Sequence, residues 1–213
     1  MVLWGKTKDG KNALSLSDKE AGDLLALFYD IRTMKDLPRS GWFFKGIKNP
    51  ESLADHSWFV TMIALSLGQY LIETKKMAID LEKIICMATI HDLPELKTMD
   101  IPTPIVTKYL GKTHKHEIET SAFLDVFHKI SLSAISVALL PIWQEFDARQ
   151  SLEAKLVNCA DKLDMMLQVI RYEELGHQNM ADFWEDGKRI FTDLDLLVFY
   201  EALISLQKEK ISH

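Results

Sequence analysis

The residues with chemistry to offer gather at the end of one apolar run. Ile84-Ile85-Cys86-Met87-Ala88-Thr89-Ile90 stops in His91-Asp92, with Pro94 and Glu95 just beyond. Imidazole nitrogen and carboxylate oxygen are natural ligands for a divalent metal. At the end of a buried helix their direction is fixed, and Pro94 helps to end that helix. The dipeptide is common and says little alone. It gains weight only if further ligands stand at sensible places elsewhere.

Three helices supply them. Asn49-Pro50-Glu51 reads as a helix start, with a cap, a first-turn proline and an acid at the positive dipole end. Leu53, His56, Val60, Ile63, Leu67 and Leu71 then share one stripe, which turns His56 inward. Taken alone, an inward histidine is more often a satisfied core residue than a ligand. Asp80 caps the helix that ends in His91-Asp92, with Ile84, Met87, Ala88 and His91 on its inner face. Ser151 caps a long, regular helix with the stripe Leu152, Leu156, Ala160, Leu163, Leu167 and Ile170. Asp161 and Asp164 flank that stripe. A mid-helix acid at the border of a core is poorly explained by packing and needs a cation, a metal or a hydrogen-bonding partner.

The remaining elements frame these. Ser17-Asp18-Lys19-Glu20 is a capping box that starts a helix running to about Asp36. Pro38 to Asn49 is a loop rich in cations and aromatics, among them Arg39, Trp42, Phe44, Lys45 and Lys48. That content suits an anionic, ring-bearing ligand. It equally suits a loop that Trp42 and Phe44 tuck onto the core, the reading composition favours. Asp100 lies in a short segment stiffened by Pro102 and Pro104. Thr113 to Ile130 is expected to be a helix with Ile118, Ala122 and Phe127 buried, and His114, His116, His128 and His177 on the surface. Ser133 to Phe146 is another helix, kinked or split by Pro141. After Gly176 come a polar turn and Trp184, then a closing helix from about Asp193 to Lys210. No convincing strand appears, so the fold is expected to be an all-α bundle, one domain over residues 1–213 with residues 1–16 as an N-terminal extension.

Composition excludes several classes. The formal net charge is −6, and no basic block marks a nucleic-acid surface. The apolar runs are too short to span a membrane. Cys86 and Cys159 sit in apolar helical patterns and read as reduced core residues. Met1 to Asn12 is polar and lacks a signal-peptide core, so a cytoplasmic setting is expected.

His56, His91, Asp92 and Asp161 lie on or at the ends of three core helices, separated by 35 residues and then by 69. Two imidazoles and two carboxylates bind a divalent first-row metal and leave positions for water and substrate. Such a site suits phosphate ester hydrolysis.

This set resembles the signature of the HD-domain metal-dependent phosphohydrolases, a family of all-α enzymes. The segments Arg39-Ser40-Gly41-Trp42, Pro50 to His56, His91 to Glu95, Asp100 to Pro104, Ser151 to Lys155 and Ala160 to Asp164 resemble its 5′-deoxynucleotidase branch. The likeness runs from about Ser17 to the last helix, and it implies an HD-domain bundle with a metal site in its core. By the same resemblance His56, His91, Asp92 and Asp161 hold a divalent ion such as cobalt or manganese, and Glu95 serves as general base. Asp100 would contact the sugar near its 3′-hydroxyl, and the Arg39 to Trp42 loop would grip the phosphate and the ligand's edge. The chain departs from the family pattern in carrying Gly41 directly before Trp42, with Arg39 three positions away. It also carries Met99 where relatives often have glycine. The implied activity is hydrolysis of deoxyribonucleoside 5′-monophosphates by a homodimer. Triphosphates, cyclic dinucleotides or alarmones are alternative substrates, but they need more cationic contacts than Lys45, Lys48 and Lys97 offer. A non-catalytic, metal-clamped binding module is the other alternative, and the presence of Glu95 argues against it.

Overall fold

The computed structural model describes residues 16–128, 132–193 and 196–211. The expected extension therefore lies outside the described residues, apart from Leu16. Helix follows helix: α1 (Asp18–Arg32), α2 (Leu53–Lys75), α3 (Leu81–Ile90), the short α4 (Glu95–Thr98), α5 (Lys112–Val126), α6 (Ser133–Ala148), α7 (Leu152–Glu174), α8 (Ala181–Asp193) and α9 (Leu197–Ile211). Among the described residues there is no strand, only one isolated bridge between Pro38 and Ser52. No described helix is long and apolar enough to cross a membrane. Cys86 and Cys159 are free thiols, the second of them buried.

The caps explain most boundaries. Ser17 and Glu20 form the expected box at α1, Asp80 accepts from Lys83 N–H at α3, and Ser151 accepts from Ala154 N–H at α7. At α2 the start lies three residues later than Asn49-Pro50-Glu51 indicated. Ser52 and Asp55 make the reciprocal box there, and two satisfied backbone donors outweigh a favourable proline. Pro141 sits within a single continuous α6. Helix α8, absent from the sequence reading, packs against α7 and α9.

The core is centred on α7, which packs against α2, α3, α6, α8 and α9. Its buried face includes Leu156, Ala160, Leu163 and Ile170, the expected stripe, together with Asp161 and Asp164. Helix α5 buries Ala122, and Phe127 at its end, as expected, but not Ile118. Glu119, Ala122, Phe123 and Val126 turn inward, while Ile118 is 41% exposed. Position 118 lies one residue, about 100°, off the stripe set by Ala122, Phe123 and Val126.

Two backbone hydrogen bonds clip the start of α2 to the preceding loop: Leu53 N–H to the Leu37 carbonyl at 2.8 Å and Arg39 N–H to the Glu51 carbonyl at 3.0 Å. The loop then winds through a 3₁₀ turn (Ser40–Lys45) and ends at Gly46, whose φ of +75° a side chain would resist. Met99 closes α4 with φ +59° and ψ 166°, a region that only glycine enters without strain.

That strain is worth about 1–3 kcal/mol, whereas a new glycine loses about 0.5–1 kcal/mol through extra chain entropy. Met99 is half exposed and gives up little packing. Met99→Gly is therefore expected to raise stability by about 1 kcal/mol. Met99→Ala should not, because it keeps the Cβ. Paired denaturant melts of the three proteins check this.

Candidate metal and substrate site

His56 sits in the first turn of α2 and is fully buried. Its Nδ1 faces the carboxylate of Asp164 on α7 in a short hydrogen bond. Its Nε2 points the other way, 3.3 Å from His91 Nε2, 3.3 Å from Asp92 Oδ2 and 3.5 Å from Asp161 Oδ1. His91 caps α3. Its Nδ1 lies 2.7 Å from the Ala88 carbonyl, which only accepts, so Nδ1 carries the proton and Nε2 keeps a lone pair. That Nε2 is 3.3 Å from Asp92 Oδ2. The His91 carbonyl in turn accepts from the Trp143 indole at 3.1 Å.

Two imidazole Nε2 atoms and the Asp92 carboxylate thus face one point from α2 and from the end of α3, and Asp161 of α7 stands at its edge, against His56. With both Nδ1 atoms engaged, these are acceptors facing acceptors, which is unfavourable without a cation between them. Ligand atoms around an ion with bonds near 2.1 Å stand roughly 3.0–3.4 Å apart, so the spacing suits a divalent metal. The surrounding carboxylates favour positive charge at this point, whether a metal ion or, in its place, a proton on His56 Nε2. Burial and Arg39 both oppose a proton on His56, yet Asp164 and Asp92 outweigh them and raise its pKa to about 9. Burial works against the charged forms of Asp92 and Asp161 too. His91 and His56 around Asp92, and Lys162, His56 and Arg39 around Asp161, hold both well below the usual carboxylate range.

Glu51, His56 and Asp164 also cluster closely enough to be weighed as an ion site. The geometry favours a hydrogen-bonded support. His56 Nδ1 is bound to Asp164, and Glu51 accepts the Trp42 indole N–H at 3.0 Å. Burial and then Asp164 push the Glu51 carboxyl up, toward its neutral form.

Arg39 donates to Asp92 Oδ2 at 3.1 Å from the loop clipped to α2. Burial opposes its charge, but Asp92, Asp100, Asp161 and Glu95 around it raise its pKa further still, and it stays a cation. Glu95 opens α4 and is buried, and its Oε2 has no hydrogen-bonding partner among the described residues. Burial first, then Asp92 and Asp100, push its carboxyl well above the ordinary glutamate value. Asp100 is half-buried and tied to the loop, its carbonyl accepting from the Ser40 hydroxyl at 2.5 Å and its carboxylate from Gly41 N–H at 3.4 Å.

Trp42 stands apart from this group. It is 2% exposed, stacked on Phe183 with centroids 4.8 Å apart and set edge-on to Tyr172. Its ring is packed in the core and anchors the loop, so the edge contact with a ligand that the resemblance implied has no open ring surface. Lys45 is likewise committed, to Asp182 at 2.6 Å and to the Asn179 carbonyl at 3.0 Å. Phe44, by contrast, is exposed. His116 is exposed, as expected, and there it pairs with Asp147 at 2.5 Å and stacks on Trp143. The supports missed in the sequence were Ser40, Trp143 and Glu51. Ser40 and Glu51 stood inside family-like segments without a role of their own, and Trp143 left no trace.

Comparison with known proteins places the chain in a family. Residues 31–192 match the sequence model of the HD domain. A Danio rerio protein named 5′-deoxynucleotidase HDDC2 is 31% identical over 182 residues, 84% of each chain. A Dictyostelium discoideum protein of the same name is 34% identical over 146 residues, 68% of this chain and 75% of that one. A Pyrococcus horikoshii crystal structure superposes with a TM-score of 0.71 at 34% identity, covering 87% of this chain and 99% of that one. An HD-domain phosphohydrolase from Listeria innocua shares the fold, with a TM-score of 0.71 at 17% identity and 89% and 90% coverage.

Removing Asp164 while keeping its shape tests the support of His56. Asp164→Asn is expected to weaken divalent-metal affinity by roughly 10–100-fold, the usual effect of a lost partner behind a ligand. His91→Ala should lose the ion outright. Metal titration by calorimetry checks both. Wild-type affinity in either variant would contradict the geometry read here.

Proposed function

This chain belongs to the HD-domain family, and from that premise we propose that it hydrolyses deoxyribonucleoside 5′-monophosphates to deoxynucleosides and phosphate. The observation that carries this reading is the convergence of His56, His91 and Asp92, with Asp161 against His56, on a site that also holds a buried Glu95 whose Oε2 lacks a partner among the described residues and a charged Arg39. The activity for which the relatives are named supplies the substrate class.

On this reading His56, His91, Asp92 and Asp161 hold a divalent cation, cobalt, manganese or a similar ion. Such an ion supplies Lewis-acid polarisation of phosphate oxygen and of water. Glu95 takes the proton from the attacking water. Its raised proton affinity suits that role, because a base works best with a pKa nearer the working pH. Arg39 holds phosphate oxygens with the donors that Asp92 leaves open, since a guanidinium carries five N–H groups in a planar fork. Asp100 accepts from the 3′-hydroxyl and leaves little room beside the 2′ carbon. Its ties to Ser40 and Gly41 keep it in register with Arg39. Trp42 acts indirectly, by fixing the loop that carries Arg39. A monophosphate is favoured over larger nucleotides because Lys45 is spent on Asp182 and Asn179, and Lys97 stands 3.9 Å from Asp30. The reading is completed by a single HD domain, a homodimer and a cytoplasmic setting.

Glu95→Ala is expected to lower kcat by roughly 10²–10⁴-fold while metal content stays near normal. Loss of metal together with activity would make Glu95 a ligand instead. Asp100→Ala should lower kcat/KM for deoxyribonucleotides and reduce the ratio of deoxy to ribo activity. A phosphate-release screen of metal-stripped protein, refilled with single ions, measures both effects. Equal hydrolysis of ribo- and deoxyribonucleotides by the wild type would overturn the substrate assignment.

A further inference from the structure

Helix α5 packs against α4, the short helix that carries Glu95, and it turns an ion pair toward that contact. The inward stripe of α5 is Glu119, Ala122, Phe123 and Val126. Lys115 stands one turn earlier on the same stripe, and its ammonium binds the Glu119 carboxylate. Lysine–glutamate pairs at this spacing are ordinary on a solvent face. Here the glutamate is buried and the lysine side chain is 31% exposed. Burying an ion pair gives little stability over an apolar pair of similar volume, so folding alone does not account for it.

The surroundings indicate a use. Glu95 and Asp92 lie close enough for their charges to act on Lys115, and Asp92 acts on Glu119 as well. Among the described residues Glu119 is the sole hydrogen-bond acceptor on the ammonium, which leaves two of its three donors open. The neighbouring cations are already engaged: Arg39 with Asp92, and Lys162 with Asp161 at 2.8 Å. A phosphate dianion arriving among Asp92, Glu95, Asp100 and Asp161 needs more positive charge than Arg39 carries. We propose that Lys115, held by Glu119, is a substrate-binding residue whose open donors contact the phosphate oxygens beside Glu95. This rests on the phosphomonoester reading above.

The test uses Lys115→Met, which keeps the apolar stem and removes the charge, with Lys115→Arg as the conservative partner. Inorganic phosphate is the first probe, titrated into metal-loaded protein. Lys115→Met is expected to weaken phosphate binding and to raise KM for deoxynucleoside monophosphates by roughly 10–100-fold, the usual range for a charge-assisted hydrogen bond. Its kcat, metal content and melting temperature should change far less, and Lys115→Arg should recover most of the binding. Wild-type phosphate affinity in a folded Lys115→Met protein would overturn the proposal. So would equal loss of binding in both variants together with a fall in melting temperature, the mark of a purely structural pair. A wild type that binds phosphate through Lys115 but releases none from monophosphates would overturn the nucleotidase reading and leave this contact standing.

Discussion

Everything in this fold that bears on chemistry depends on the two-sided engagement of one imidazole. His56 is bound through Nδ1 to Asp164 and through Nε2 looks toward His91, Asp92 and Asp161. A carboxylate behind a ring nitrogen sets the tautomer and direction of the other nitrogen. Because Asp164 and Asp161 lie one turn apart on α7, that helix supplies both a ligand-type oxygen and the support behind a ligand-type nitrogen. Packing of α2 against α7 therefore sets the site's dimensions, and Val60 and Ala160 belong to the buried apolar cluster that joins the two helices.

The substrate side is built by a different device. The Arg39 loop has little regular structure, yet it is fixed at three places: the backbone clip to the start of α2, the burial of Trp42, and the contacts of Ser40 and Gly41 with Asp100. A loop so held loses little further entropy on binding a ligand. The Trp42 indole reaches Glu51, whose carboxyl lies beside Asp164, so the loop anchor and the metal-side support share one buried network. A change at Trp42 would be felt at both.

Much of the candidate site was legible in the sequence because its ligand-type residues obey helical periodicity. His56 fell on an apolar stripe, His91-Asp92 at the end of another, and Asp161 and Asp164 at the border of a third. The all-α fold followed from the same patterns and from caps at Ser17, Asp80 and Ser151. The misreadings have physical causes. Asn49-Pro50-Glu51 carries every local start signal, but the Ser52–Asp55 box lies just beyond it and satisfies more backbone donors. On α5, His114 to Glu119 holds a single apolar residue, too few to set the phase, and that residue, Ile118, reads as core where Glu119 is the one buried. For Trp42 composition favoured the core, as found, whereas the family likeness pointed to a ligand. Only Phe183 and Tyr172, well over 100 residues downstream, decide it.

The central claim is that the four inward side chains hold one divalent ion through both imidazoles. X-ray absorption at the cobalt edge of cobalt-loaded protein tests it most directly. The account predicts two imidazole nitrogens with carboxylate and solvent oxygens, at bond lengths of about 2.0–2.2 Å. In Asp164→Asn the imidazole contribution should weaken. A shell of oxygens alone in the wild type would contradict it.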